Sequence, residues 1–227
     1  SSDVCSSDLI FISMKTASLS ILITFFIGLI VAWGIVKIKN DTIKIVLDGI
    51  FTLPIVLPPT VVGFFLLYIF GVRGPIGMFF IDFFAVKIAF SWPATVIAAV
   101  VMSFPLMYRS ARGAFEQVDS NLLDAGRTLG MSEWKIFWKI LFANAFPGII
   151  SGGILSYARG LGEFGATAML AGNIAGQTRT LPMAVYSEVA AGNMGDAFNY
   201  VIFIVIISFI AIFIMDFISI RKEKRWK

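Results

Sequence analysis

Two short stretches hold the residues whose types and spacing point to a task. Asp124-Ala125-Gly126-Arg127-Thr128-Leu129-Gly130 sets both charge signs in a loop between long apolar runs. Arg159 and Glu163 stand four apart in Ala158-Arg-Gly-Leu-Gly-Glu-Phe-Gly-Ala-Thr167, the spacing at which two side chains share a helical face and can pair. Neither stretch is equipped to make or break bonds. The chain has no histidine, which removes His-dependent triads, His metal sites and His proton relays. Its single cysteine, Cys5, excludes an internal disulfide and a Cys-based metal site. No Gly-x-x-x-x-Gly-Lys-Ser/Thr phosphate loop occurs, so a partner must bind any ATP that drives the protein. The expectation is recognition and passage, with no catalytic residue and no metal ligand.

The elements that carry these residues are membrane spans. Apolar residues make up 58% of the 227 and charged residues 14%, against roughly 45–50% and about 25% in soluble domains. Five apolar runs, roughly 16–36, 47–70, 88–108, 138–158 and 198–219, reach the ~20 residues needed to cross a ~30 Å hydrocarbon core. The predicted fold class is all-α: a polytopic membrane protein of about five transmembrane helices. Basic residues orient it. Lys37, Lys39 and Lys44 follow the first run. Arg109, Arg112, Arg127, Lys135 and Lys139 follow the third, and Arg221, Lys222, Lys224, Arg225 and Lys227 close the chain. With five spans these thirteen of 18 cations share one side, which places the C-terminus in the cytoplasm and the N-terminus outside. The net charge of +4 is therefore a topology signal and calls for a lipid bilayer, not a nucleic acid. Residues 1–13 read as an irregular, partly non-native start, because Ser1 to Leu9 are polar and acidic and composition changes abruptly at Ile10. Residues 14–220 read as one transmembrane domain and 221–227 as a basic cytoplasmic tail. No internal repeat is visible, so a symmetric pore needs two copies of the chain.

The segment 109–139 between the third and fourth runs is predicted to form a helix-turn-helix. Asp119 or Ser120 can cap a helix over 121–129, on which Leu122, Ala125 and Leu129 share a face. Gly130 supplies the stop. Ser132 caps a second helix with Glu133 in its first turn, and Trp134, Phe137 and Trp138 lead it to the membrane boundary. The residues alone suit a docking helix and an interfacial hairpin equally. Pro54, Pro58 and Pro59 in the second run predict a kinked pore-lining helix. Around Glu163, Gly160, Gly162 and Gly165 permit close backbone approach. Thr167, Asn173, Thr178 and Thr180 offer neutral hydrogen-bond donors, which suit transient passage of an anion better than a fixed cation. A Gly-rich break with a structural salt bridge is the competing reading.

A family resemblance favours the first reading in each case. The segment Asp124-Ala125-Gly126 followed after three residues by Gly130 resembles the coupling loop of ABC-importer permeases, whose pattern is Glu-Ala-Ala, three residues, Gly. Asp124 departs from Glu and Gly126 from Ala. Farther on, Ile140 matches, while Phe142 and Ala143 stand where the family has Leu and Pro. Leu161-Gly-Glu-Phe-Gly-Ala-Thr167, Gly172-Asn-Ile174 and Thr178-Arg-Thr-Leu-Pro182 resemble molybdate importer permeases. So do Leu53-Pro-Ile-Val-Leu-Pro-Pro-Thr-Val-Val-Gly63, Phe90-Ser-Trp92 and Ser103-Phe-Pro-Leu106. The likeness runs from about residue 14 onward, and sulfate and tungstate permeases share parts of it. It implies a homodimeric permease in a prokaryotic inner membrane, two ATPase subunits and an extracytoplasmic oxyanion-binding protein. No cofactor is expected on this chain, with ATP and Mg held by the ATPases. It also implies ATPase coupling through Asp124, Ala125, Gly126, Arg127, Leu129 and Gly130. Arg159, Gly162, Glu163, Phe164, Gly165, Thr167 and Thr180 would lie at the translocation gate. Sulfate/thiosulfate or tungstate import is the alternative. A secondary transporter is more distant, since it calls for intramembrane ionisable pairs or inverted repeats.

Overall fold

The computed structural model describes residues 6–223, all of whose regular structure is helical. The long helices are α1 (Ser6–Val36), α5 (Trp92–Glu116), α8 (Phe142–Leu161) and α11 (Met194–Glu223). Between them lie α2 (Asp41–Val56), α3 (Pro59–Phe70), α4 (Pro75–Phe84), α6 (Ser120–Thr128), α7 (Glu133–Ile136), α9 (Gly165–Leu170) and α10 (Leu181–Ala191). A π turn, Phe137–Leu141, joins α7 to α8.

Helix α1 begins earlier than its composition suggested. Leu9 and Ile12 are buried, and the Ser13 hydroxyl accepts the Leu181 N–H at 2.8 Å. The irregular segment expected over 1–13 is thus helical from Ser6, because packing Leu9 and Ile10 against α10 and α11 outweighs the polar character of their neighbours. Residues 1–5, with Cys5, and 224–227 of the expected basic tail lie outside the described residues.

Helix pairing follows from side-chain register. Thr16 meets Thr95 at 3.1 Å and Thr24 meets Ser103 at 3.1 Å, both 79 residues apart. A constant offset means that α1 and α5 run parallel. Ser and Thr are well suited to this, since their small side chains allow close approach and hydrogen-bond across helices where water is scarce. Helix α8 runs antiparallel to α5. A Cβ on Gly148 would stand 2.7 Å from the Ala114 Cβ, and one on Gly152 would stand 2.4 Å from the Ser110 Cβ, so the seam closes only with glycine on α8.

Parallel α1 and α5 require one return crossing between them. Helices α2 and α3 supply it, but not as the kinked span predicted. They are two helices at 112° to each other. Pro54 sits inside α2, whereas Pro58 caps and Pro59 begins α3. Two consecutive prolines remove two backbone donors, and a residue before proline avoids the helical region. Leu57 accordingly adopts ψ 142°, and the chain breaks there. Helix α2 lies along the Tyr108 half of α5, α3 along the Ala94–Met102 half. Counting the bent pair as one, five segments are long and apolar enough to cross a membrane.

No residue of α2 is buried. Its polar anchor is an ion cluster on α5. Arg112 pairs with Asp48 and, at 3.0 Å, with Glu116; Lys44 reaches Glu116 at 2.8 Å; and the Tyr108 hydroxyl donates to Asp48 at 2.9 Å. Arg112→Ala leaves two carboxylates facing one lysine. Because these groups are partly exposed, the expected loss is about 1–3 kcal/mol, read as a lower melting temperature in detergent; an unchanged melt would show that α2 is held by its apolar contacts alone.

Candidate functional site

Two constellations emerge at opposite ends of the bundle. At the end where α1 and α5 finish, α6 projects from the helices. Asp119 Oδ1 accepts the Asn121 N–H at 2.9 Å and caps it, and Gly130 ends it at φ 73°, a left-handed conformation costly for other residues. The second cap expected differs: Ser132 precedes α7 without a side-chain bond. The face carrying Leu122, Ala125 and Leu129 points outward, with Leu129 80% exposed. The buried side is Gly126, where a Cβ would stand 2.8 Å from Ile140 Cδ1 and 3.2 Å from Ile136 Cγ1. Gly126 thus sets α6 close on α7 and the π turn, and an alanine there would need the Ile140 terminal methyl to shift. Arg127 ties the two arms of the hairpin, bonding Asp124 Oδ1 at 2.7 Å and Glu133 Oε1 at 2.8 Å. Glu133 first, then Asp124, hold its guanidinium pKa above the already high usual range. The product is a rigid, mixed-charge helix offering exposed leucines and, on the following turn, Trp134 and Trp138.

At the other end, Arg159 in the last turn of α8 meets Glu163 at 2.6 Å, with the Glu163 side chain only 2% exposed. Glu163 Oε1 also accepts the Ala166 N–H at 2.7 Å, securing the first turn of α9. Glu163 Oε2 has the arginine as its ionic partner but no well-aligned donor. Two stretches far apart in sequence converge here. A Cβ on Gly165 would lie 2.8 Å from the Pro59 Cβ, and one on Gly63 would lie 2.8 Å from the Ala166 Cα. The proline break and the Glu163 segment therefore form one unit, α3 against α9, over the buried Ala94, Ala98 and Met102 of α5. Phe90, at φ 58°, donates its N–H to the Leu170 carbonyl at 3.0 Å and secures the far end of α9. Sequence reasoning missed this role of Phe90; its only signal was membership of the Phe90-Ser-Trp92 motif.

The remaining gate candidates divide. Phe164 places its ring 5.1 Å from that of Tyr186. Gly162 caps α8 at a negative φ, and a Cβ there would make only ordinary contact with the Ala158 carbonyl at 3.6 Å, so nothing in the structure demands glycine there. Thr167 is buried on α9. Asn173 and Thr178, read as free donors, are committed locally. Asn173 bonds Ser187 and Arg179, and Thr178 Oγ1 accepts the Ile174 N–H and donates to the Gly172 carbonyl. Turn formation satisfied them because the chain reverses between α9 and α10. Thr180 Oγ1 is buried without a partner.

The arrangement of a projecting helix at one end and a bent, proline-broken unit at the other fits known proteins. The chain is 42% identical over 217 residues to the molybdenum transport system permease protein ModB of Escherichia coli K12, covering 95% of this chain and 94% of the relative. It is 36% identical over 215 residues to the protein of that name from Haemophilus influenzae. Its fold matches an inward-facing MetNI methionine ABC transporter chain at TM-score 0.69 and 17% identity, covering 96% of this chain and 98% of that one. It also matches a chain of a bacterial alginate importer at TM-score 0.79 and 14% identity, covering 97% and 80%. The profile described as binding-protein-dependent transport system inner membrane component spans residues 24–226. With its long apolar helices and exposed, projecting hairpin, the chain belongs to the family of binding-protein-dependent transport system inner membrane components.

Proposed function

We propose that this chain is the permease subunit of an ATP-driven importer that carries molybdate inward, with its C-terminus in the cytoplasm. The observation that carries the reading is its near full-length similarity to permeases named for molybdenum transport, joined to the Leu161–Thr167 segment. Two copies form the pore; the outer face of α2, where Ile45, Ile50, Leu53 and Val56 are exposed, and the largely uncovered α11 leave apolar surface for a second copy and for lipid. Two ATPase subunits dock on α6 and bind ATP and Mg, so this chain performs no chemistry. An extracytoplasmic binding protein delivers the oxyanion to the opposite end. ATP-driven closure moves α6, the movement passes through α7 and the π turn into α8, and the Arg159–Glu163 pair at the end of α8 responds together with α3 and α9.

Labelled molybdate uptake, in cells lacking their own importer and expressing this chain with its ATPase and binding protein, tests the substrate. Uptake that depends on this chain and resists excess sulfate is expected; uptake abolished by sulfate assigns sulfate instead. Coupling has its own test in Arg127→Glu, which sets three carboxylates together on the hairpin. The pairs it loses are exposed and screened by water, so the permease is expected to remain folded. The ATPase is expected to leave the variant on co-purification while the permease remains abundant. Full retention of the ATPase would remove Arg127 from the docking surface.

A further inference from the structure

Near the coupling end, α5 and α8 enclose a cavity of about 690 Å³ that extends to the start of α6. Its polar lining is Arg109, Ser110 and Gln117 from α5, Asp119 at the cap of α6, and Asn144 and Ser151 on α8. Arg109 is its only cation. The two arginines of α5 are treated differently. Arg112 is paired with Asp48 and Glu116, whereas among the described residues no carboxylate pairs with Arg109. Arg109 stands seven residues before the end of α5, about 10 Å along the helix. A cation without a carboxylate partner that lines an open, polar space is free to meet an anion there. Asp119 is the one opposing charge, and its Oδ1 is occupied by the Asn121 N–H. The remaining polar walls are hydroxyls and side-chain amides.

We propose that this cavity is the exit station of the transported tetrahedral oxyanion: a weak site in which Arg109 draws the dianion while Ser110, Gln117 and Ser151 donate hydrogen bonds. The site rests on the importer reading and its orientation. Arg109 is exposed, so water screens its charge, and Asp119 opposes capture; the ion is held briefly and released. Leu122 and Asp119 belong to the same wall, so the station borders the helix that the ATPases move, and closure of the motor changes the cavity directly.

The test is protection from thiol labelling in the permease–ATPase complex, in nanodiscs of phosphatidylcholine. The chain carries Cys5→Ser, which removes its only cysteine, and as reporter Asn144→Cys, an exposed lining position that is not one of the proposed donors. Molybdate is expected to slow reaction with a neutral maleimide by 1 + [L]/Kd, about fivefold at four times Kd. Chloride at equal ionic strength leaves the rate unchanged, and adding Arg109→Gln abolishes the protection while the thiol still reacts, each protected rate being compared with the same variant's unprotected rate. Equal protection with and without Arg109 overturns the proposal. So does an unreactive thiol, which would mean that the assembled transporter fills the cavity. Protection by phosphatidylglycerol without molybdate also overturns it, by assigning the site to a lipid headgroup. If cells import sulfate through this chain and exclude molybdate, the substrate reading fails separately, and sulfate becomes the protecting ion under the same criteria.

Discussion

Glu163→Ala is expected to cut uptake about tenfold or more while much of the protein still reaches the membrane. The mutation strands Arg159 and uncaps the first turn of α9, because one carboxylate serves both through separate oxygens. Breaking a buried ion pair costs about 3–5 kcal/mol; Arg159 keeps 29% exposure, which lowers the expected figure to about 2–3 kcal/mol. A bias of only about 1.4 kcal/mol between two conformations changes their ratio tenfold, so the switch should fail before the fold does. Glu163→Gln separates the two roles: it retains an acceptor for the Ala166 N–H and loses the charge. It should be well expressed and poorly active. The double variant Arg159→Ala/Glu163→Ala removes both charges and should recover abundance without recovering uptake. Normal uptake by Glu163→Ala at normal abundance, or full activity of the double variant, would reduce the pair to structural cement.

The second large effect is expected from Gly63→Val. A Cβ at this position would already stand 2.8 Å from the Ala166 Cα and from the Met169 Cβ, and backbone cannot rotate away as a side chain can. A branched side chain must push α3 from α9, with an overpacking cost of about 1–3 kcal/mol. The melting temperature of the detergent-solubilised complex should fall, and uptake should fall further, since α9 also carries the Glu163 cap. Gly34→Ala is the control: nothing lies within 4 Å of a Cβ there, and in the last turn of α1 replacing glycine gains at most about 1 kcal/mol of helix propensity. If both variants melt alike, the α3–α9 seam does not depend on the missing side chain.

The hairpin 120–136 could be read directly from sequence because its determinants are local: a capping aspartate, a helical apolar face and a left-handed glycine act within a few residues of one another. The Arg159–Glu163 pair was legible for the same reason, the i,i+4 spacing being a property of one helix. The site around it was not. That Pro59 touches Gly165, or that Gly63 lies on Ala166, depends on how α3 and α9 meet on α5, and no single-chain periodicity encodes it. The predicted span over 47–70 failed as one helix because hydrophobicity reports the solvent a segment prefers and says little about its direction. Two successive prolines carried the break, but only the tertiary arrangement turned it to 112°. Composition and local patterning thus determined by themselves that this is a helical membrane protein of about five spans with a capped helical hairpin between the third and fourth, because transfer into lipid and local capping depend on the chain alone. The parallel register of α1 with α5, the joining of the proline break to the Glu163 segment and the cavity beside Arg109 were decided only in the folded molecule, where the space between helices selects which glycines, hydroxyls and charges meet.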